Sequence, residues 1–383
     1  MKKTLTLTLA LLMALCCLSP AVYAETSDAS VSARDASGDY DAASAVTLSP
    51  GGDLTITAAG TYIFSGTYAN QMIVVAAGKE DKVQLVLDNA ELTNANGPAI
   101  YIRSADKVFL TAAAGTVNTI SDGAGYTLTD GDTALDAAVF SKDDLTINGA
   151  GQLTINGNNK HAVVSKDDLV VTAKNLTVNA ANSGLSGKES VTLSAAAVSI
   201  LAGSDGVHTE GSALIESGTY NIQVRDDGVH ADEKAEIAGG TLNITGAEGI
   251  EATWVLISGG DVTIQATDDG INAARKSDLY TPTVEITGGT VTVTMAVGDT
   301  DGIDSNGNLV ISGGVISVNG NSAFDYDGSP SFTGGTVYVN GQQVTTLPNQ
   351  MMGGRGGMGG GRGGMGGSRG GMEGFGGDVF KQR

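Results

Sequence analysis

A short phrase centred on a glycine returns at nearly constant spacing through residues 204–327. Its copies read SDGVH, DDGVH, AEGIE, DDGIN, TDGID and, in a divergent last form, NSAFDYD. The glycines of the first five copies lie 22, 21, 21 and 32 residues apart: Gly206, Gly228, Gly249, Gly270 and Gly302. A unit of this length is too short to bury a core of its own. Each copy must therefore form one coil of a solenoid and bury its apolar face against its neighbours.

Strand signals extend over the whole of 49–345. Segments such as DLTITAAGTYIFSGTY and KVQLVLDNAELTN alternate aliphatic with polar residues, which is typical of half-buried strands. A second glycine series opens one strand per coil: Gly218, Gly240, Gly260, Gly289, Gly314 and Gly335. No segment has the pattern of a long helix. These patterns predict an all-β fold, a single-stranded parallel β-helix with coils of about 21–24 residues.

Two columns of polar residues flank the apolar column of the repeat. Acids precede the glycine: Asp205, Asp227, Glu248, Asp269 and Asp301. Two places after it stand His208, His230, Glu251, Asn272 and Asp304. In an unbroken strand the acid would point inward with the apolar residue, and a buried row of unpaired carboxylates is not tenable. We therefore expect a bend with positive φ at each of these glycines, so that both polar columns share an outer rim.

Carboxylates stacked along this rim require a counter-ion. Coils lie about 4.8 Å apart, and two carboxylates at that distance repel by about 1 kcal/mol in water and about 3.5 kcal/mol at an effective dielectric of 20. Carboxylate, amide and carbonyl oxygens suit Ca²⁺ better than Mg²⁺. The predicted metal ligands are Asp205, Asp227, Glu248, Glu251, Asp268, Asp269, Asp301 and Asp304. Two readings compete: solvated Asp-Gly turns without metal, and a transition metal held by the stacked His208 and His230.

The two ends of the chain differ from its body. Residues 1–24 have the basic start, apolar run and small-residue cleavage site of a signal peptide, which predicts a secreted protein. Both cysteines lie in that segment, so the mature chain would contain none. Residues 25–48 are predicted to be a linker or an N-terminal cap. The glycine-, methionine- and arginine-rich 346–383 is predicted to be a disordered tail that contacts the cell wall.

The charge restricts the partners. The formal net charge of −21 argues against nucleic acid, and it repels acidic polymers unless cations bridge the two. No long apolar stretch follows the signal segment, so membrane insertion is not expected.

Several phrases in the N-terminal half resemble a known family. They are GTYIFSG (60–66), DKVQLVLDNAELTNANGPAIYI (81–102), ADKVFLTAAAGTVNTISDG (105–123) and SKDDLTINGAG (141–151), followed by the DDGI-type repeats. Together they resemble the bacterial carbohydrate-binding right-handed parallel β-helix family known from a cellulose-degrading clostridium, over roughly 45–345. The resemblance implies a secreted, calcium-binding solenoid that attaches to cellulose or to acidic sugars such as polygalacturonate. It also implies a calcium column similar to that of family 9 pectate lyases.

Three functions remain open from the sequence. A non-catalytic, calcium-dependent polysaccharide binder would use the insertion 274–283, where Arg275, Lys276 and Tyr280 are candidates for sugar contacts. A calcium-dependent lyase acting by β-elimination would need a basic residue beside the metal, for which the candidates are Lys234, Arg275 and Lys276. A surface scaffold or adhesin would use calcium only for rigidity. Neutral glucan binding would instead favour a flat strand face with Tyr or Trp, and Trp254 is equally suited to core packing.

Overall fold

The fold is known from a computed structural model that describes residues 31–127, 135–298 and 300–349. Within these ranges the chain forms one four-residue helix, α1, and 32 strands. The strands build a parallel β-solenoid of about 12 turns, which confirms the predicted all-β fold. The signal-peptide prediction for 1–24, residues 25–30 and the tail beyond 349 lie outside the described residues.

The elements follow one another in this order: α1 (Ala33–Ala36), β1 (Val46–Leu48), β2 (Leu54–Ile56), β3 (Gly60–Tyr68), β4 (Ile73–Ala76), β5 (Lys82–Asn94), β6 (Ile100–Ser104), β7 (Lys107–Ala112), β8 (Val117–Asp122), β9 (Ala137–Ser141), β10 (Asp144–Gly149), β11 (Gln152–Gly157), β12 (His161–Ser165), β13 (Asp168–Val171), β14 (Asn175–Ala180), β15 (Leu185–Gly187) and β16 (Ser190–Ala202). They continue with β17 (Val207–Thr209), β18 (Ser212–Gln223), β19 (Asp227–Ile237), β20 (Thr241–Gly246), β21 (Glu248–Ile257), β22 (Asp261–Ala266), β23 (Asp269–Ala273), β24 (Thr283–Ile286), β25 (Thr290–Met295), β26 (Asp301–Ser305), β27 (Asn308–Ile311), β28 (Val315–Asn319), β29 (Ser322–Tyr326), β30 (Pro330–Phe332), β31 (Thr336–Val339) and β32 (Gln342–Val344).

Each coil contributes one strand segment to each of three parallel sheets. The first sheet runs from β2 through β12, β15, β17 and the start of β19 to β29. The second runs from β1 through β10, β13 and the ends of β19 and β21 to β30. The third runs from the end of β3 through β11, β14, β20 and β22 to β31. An antiparallel pairing of β31 with β32 closes the last coil.

The core consists of aliphatic ladders that follow the strand register. The apolar column of the repeat is fully buried along the first sheet: Val207, Val229, Ile250, Ile271, Ile303 and Phe324. Each member pairs in register with the same column on the next coil. Burying a side chain of this size stabilises the fold by about 1.5–3 kcal/mol. Removal of one rung would therefore weaken two coil interfaces at once.

The positive φ predicted at the repeat glycines is wrong. All six glycines of the second series have φ > 0 instead, for example Gly218 at 109° and Gly240 at 86°. In the repeat, a Cβ on Gly228 would lie 2.3 Å from Cγ2 of Ile244 and 2.6 Å from the carbonyl oxygen of Gly249. The glycine faces the core at a place where two coils leave no room for a side chain. Steric exclusion, rather than backbone handedness, explains its recurrence.

The N-terminal segment is held against the outer side of the second sheet. Ser32 caps α1 by accepting a hydrogen bond from the backbone N–H of Asp35. The buried Asp35 carboxylate accepts a hydrogen bond from Thr146 at 2.5 Å and pairs with Lys107 at 2.9 Å. These contacts lower the pKa of Asp35 even though burial opposes ionisation. Residues 31–48 are thus fixed to the solenoid, and β1 pairs with β3 as its first rung.

No helix among the described residues is long and apolar enough to cross a membrane.

Candidate functional site

The two polar columns of the repeat lie side by side on the outer surface of the first sheet, as predicted. Asp205 and His208 are joined by a contact of 3.0 Å between Oδ2 and Nδ1, and Asp227 and His230 by one of 2.6 Å. One column continues in register through Glu248, and its later members Asp269 and Asp301 pair with each other. The second column contains His208, His230, Glu251, Asn272, Asp304 and Asp325. We call these two columns, from Asp205 to Asp325, the acidic strip.

Cations of the protein itself neutralise the N-terminal half of the strip. His230 Nδ1 lies 2.6 Å from Asp227 and 2.9 Å from Glu251. Burial opposes protonation of this ring, but the hydrogen bonds and charges of both carboxylates outweigh it and raise the pKa of His230 to about 10. Lys276 Nζ lies 2.7 Å from the other oxygen of Glu251. Although burial would raise it, these two cations hold the pKa of Glu251 at about 2.

The histidines also stack, with His208 and His230 ring centroids 5.0 Å apart and an interplanar angle of 15°. The ligand atoms of Asp227, His230 and Glu251 lie within 4.8 Å of one another, so this group has metal-binding spacing. A metal on Nδ1 would have to displace a proton that two carboxylates hold. The transition-metal hypothesis thus carries an energetic cost at this point of the strip.

The C-terminal half of the strip has no such compensation. Among the residues that the structure describes, no Lys, Arg or His forms a salt bridge with Glu248, Asp269, Asp301, Asp304 or Asp325. Burial together with neighbouring carboxylates raises the pKa of Glu248 to about 8, of Asp304 to about 7 and of Asp269 to about 6. Ionisation of this half is therefore opposed by burial and by mutual repulsion, and no described cation of the protein offsets it.

Two buried oxygen atoms in the same half have no hydrogen-bond donor among the described residues. They are Oδ1 of Asn272 and Oδ1 of Asp325. Asn272 is 8% exposed, and its amide nitrogen donates to Glu248 at 3.1 Å and to Glu251 at 3.4 Å. Its orientation is therefore fixed with the oxygen unpaired. A buried acceptor without a donor is costly unless a cation or water meets it.

The remaining predicted ligands are held differently. Asp301 accepts a hydrogen bond from Ser322 on the next coil, and its backbone N–H donates to Asp269 at 3.3 Å. Asp268 is exposed at the turn that precedes β23. The strip thus brings Asp269, Asp301 and Asp304 together on successive coils and leaves Asp268 at its margin.

The candidate basic and sugar-binding residues fall in two places. Lys276 contacts the strip through Glu251, whereas Arg275 is 69% exposed and pairs with Asp278 at 2.9 Å. Lys234 belongs to the second sheet, where it pairs with Glu236 at 2.7 Å and lies 4.6 Å above the Trp254 ring. It does not reach the strip in this arrangement.

Trp254 belongs to a surface cluster rather than to the core. It is half-buried on the outer side of the second sheet, between Lys234 and Tyr280, whose ring centroid lies 5.3 Å from the indole. The indole Nε1 is buried and has no acceptor among the described residues. The insertion 274–283 therefore packs Tyr280 against Trp254 of β21, instead of leaving the tyrosine extended in solvent.

A second acidic group lies on the second sheet and was not predicted from the sequence. Oxygens of Asp144, Asp167 and Asp168 lie within 4.8 Å of one another, and burial with neighbouring acids raises the pKa of Asp144 to about 6. The repeated phrase SKDDL at 141–145 and 165–169 carried the signal. It was also not foreseen that Lys276 would neutralise Glu251, because loop residues have no fixed register with the coils.

Comparison with known proteins identifies the family of this chain. The model of a family described as carbohydrate-binding domain-containing protein matches residues 50–299 and 214–345. A protein of that description from Acetivibrio thermocellus is 40% identical over 129 residues, which are 33% of this chain and 45% of the relative, so less than half of that relative is matched. A solved structure of a polysaccharide lyase-like protein from C. thermocellum, a gadolinium derivative, is 30% identical. The superposition covers 76% of this chain and 86% of that one, with a TM-score of 0.37. Since the family match spans most of the solenoid, this protein belongs to the carbohydrate-binding domain-containing protein family.

Proposed function

We propose that this protein is a secreted, non-catalytic module that binds acidic polysaccharide through Ca²⁺ held by the C-terminal half of the acidic strip. The observation that carries the proposal is the row of carboxylates on successive coils that no described cation neutralises, next to two buried oxygens without donors. The N-terminal half belongs to the same two columns, but His230 and Lys276 neutralise it.

The donor set fits calcium by its chemistry. Asp269, Asp301, Asp304 and Asp325 offer carboxylate oxygens, and Asn272 offers an amide oxygen already fixed by its two hydrogen bonds. Hard oxygen ligands in this number are what Ca²⁺ prefers. A nitrogen-preferring metal is less suited, because no histidine among the described residues pairs with any of these four carboxylates. Bound calcium would supply the positive charge that lets uronate carboxylates approach an acidic protein.

The insertion 274–283 would provide the rest of the sugar contact. Arg275 is exposed beside the strip, and its guanidinium can pair with a carboxylate in a bidentate manner once it leaves Asp278. Lys276 remains engaged with Glu251 and fixes the start of the loop, where Thr253 also accepts hydrogen bonds from the backbone N–H groups of Lys276 and Ser277.

A lyase is the second candidate, and the protonation of its base is the difficulty. Lys276 is the candidate base in contact with the strip. Partial burial opposes its protonation, but the hydrogen bond and charge of Glu251 prevail and raise its pKa above the ordinary 10.5. An effective base has a pKa near the working pH. The ion pair thus favours binding over β-elimination.

Retention on insoluble polygalacturonate, with calcium and with chelator, tests the proposal. The wild-type protein should be retained only with calcium, and the double substitution Asp301→Asn with Asp304→Asn should abolish retention. Asp261→Asn, an exposed acid on the third sheet, is the matched control and should behave as the wild type. Retention that ignores chelator would contradict the proposal, and ultraviolet absorbance from unsaturated products would show a lyase instead.

A further inference from the structure

Two neighbouring columns on the outer surface of the third sheet are uncharged over eight consecutive coils, beside a third column that contains the exposed Asp261. Along β11, β14, β16, β18, β20, β22, β25 and β28, two columns point outward between buried aliphatic residues. The first column is Thr154, Thr177, Ser199, Asn221, Asn243, Thr263, Thr292 and Ser317. The second is Asn156, Asn179, Leu201, Gln223, Thr245, Gln265, Thr294 and Asn319. We call these sixteen residues the neutral face.

This composition differs from that of the other two outer surfaces. The chain has a net charge of −21, yet the neutral face contains hydroxyl and carboxamide groups and one leucine. The first sheet presents the acidic strip, and the second presents mixed charges such as Lys234, Glu236 and Asp168. Solubility alone would be served equally well by charged residues, which are the ordinary choice for a solvated strand face.

Hydrogen bonds between coils hold several of these side chains in place. The amide nitrogen of Asn179 donates to Oδ1 of Asn156 at 2.8 Å, and that of Asn156 donates to Ser121 at 2.9 Å. Asn243 donates to Asn221 at 3.0 Å in the same manner. Each ladder leaves further donors and acceptors directed outward, in fixed positions, so less side-chain entropy is lost when a ligand binds.

Small residues create a shallow trough across the middle of the face. One depression of about 260 Å³ is lined by side chains that include Gln152, Thr154 and Ala197. A second of about 370 Å³ extends towards Thr245. Both are lined by Thr177 and Ser199, so the two depressions adjoin. Leu201, 53% exposed, stands at the side of the trough as an apolar contact.

We propose that the neutral face is a second binding surface, which takes an uncharged polysaccharide in extended form without a metal ion. Hydroxyl and carboxamide groups match the alternating donors and acceptors of sugar hydroxyls. The coil spacing of about 4.8 Å is close to the length of one pyranose unit in an extended chain. An acidic polymer would find no cation on the face, and a calcium ion would find no carboxylate among the sixteen residues. The proposal rests on the carbohydrate-binding family assignment and not on the calcium proposal.

The test is the equilibrium binding of the full chain to microcrystalline cellulose in the presence of chelator. The wild-type protein should bind, and high salt should leave binding unchanged because no ion pair is involved. Ser199→Glu places an unpaired carboxylate in the trough and should weaken binding by about tenfold or more. The matched control is Ser331→Glu, which carries the same change on β30 of the second sheet. It should bind as the wild type does.

A second variant covers the case in which Ser199→Glu folds poorly. Asn221→Asp keeps the shape of the side chain and its ability to accept from Asn243, and it should also weaken binding. The double variant Asp301→Asn with Asp304→Asn should retain full cellulose binding, which separates this proposal from the acidic strip. The proposal is overturned by absence of wild-type binding, by loss of binding in chelator, or by normal binding of both trough variants. Sedimentation of the wild type and of Ser199→Glu measures their oligomeric states. If the wild type self-associates and the variant does not, a second copy of the chain occupies the neutral face and the proposal is also overturned.

Discussion

The substitution Asp304→Asn should change the sign of its effect on stability when calcium is removed. Asp325 is the register partner of Asp304 on the next coil, and the charges of Asp269, Asp325 and Asp301 raise its pKa in addition to burial. At the coil spacing of about 4.8 Å, one such pair costs about 1 kcal/mol in water and about 3.5 kcal/mol at an effective dielectric of 20. Removing the charge relieves that repulsion.

With chelator at pH 8, Asp304→Asn should therefore raise the melting temperature by about 2–7 °C, taking about 2 °C for each kcal/mol. With calcium at about 100 times its dissociation constant, the wild type gains about 2.7 kcal/mol from the ion. The variant should lose much of that gain and melt below the wild type. The pKa of Asp304 is about 7, so at pH 5 the carboxyl is mostly protonated and the effect in chelator should disappear.

Differential scanning calorimetry of wild type, Asp304→Asn and the control Asp261→Asn, each with calcium and with chelator, measures these shifts. The control acid is exposed on another sheet and should show no calcium-dependent difference. An equal change in melting temperature for Asp304→Asn under both conditions would refute the reasoning, since calcium binding would then not depend on this carboxylate.

Three further predictions concern the strip and the coils. His230→Gln should lower the free energy of unfolding at pH 7 by about 3 kcal/mol, because Asp227 and Glu251 lose their shared cation. In the wild type the stabilisation by His230 is complete below pH 6.5 and should vanish as pH rises through about 10. Urea unfolding of both proteins at pH 7 and above pH 10 measures the difference, and an equal difference at the two pH values would contradict this role. Gly228→Ala should cost about 1–3 kcal/mol through overpacking, whereas Gly51→Ala, which meets nothing within 4 Å, should leave the urea midpoint unchanged. In chelator the wild type should lose stability as pH rises from about 4 to about 8, since several carboxyl groups of the strip have raised pKa values; calcium should remove that slope, and a slope that persists with calcium would contradict the expected binding.

The fold was predictable because the repeat length and the alternation of apolar residues have one physical solution. A unit of about 22 residues cannot bury a core alone, and the ladder from Val207 to Phe324 follows directly from the repeat. The cause of the glycines was not predictable in the same way. Whether Gly228 serves φ or a close approach depends on Ile244, which follows 16 residues later in the third-sheet strand of the same coil.

The candidate site was predictable in its columns but not in its charges. The repeated phrase places Asp227 beside His230 on one strand, and register places Asp269 beside Asp301 on the next coil. The division of the strip depends on Lys276, which belongs to an insertion and reaches Glu251 by a path that periodicity does not describe. The predicted ligand Glu251 is paired with that lysine. Asn272, which was not predicted as a ligand, instead has a buried amide oxygen without a hydrogen-bond partner among the described residues.

A crystal structure of the wild-type protein grown with calcium would show whether the C-terminal half of the acidic strip holds an ion. We expect an ion in the C-terminal half of the acidic strip, with oxygens of Asp269, Asn272, Asp301 or Asp304 among its ligands. We expect no ion between Asp227 and Glu251, where His230 already provides the charge. An empty C-terminal half at saturating calcium, or an ion bound only at His230, would contradict this expectation.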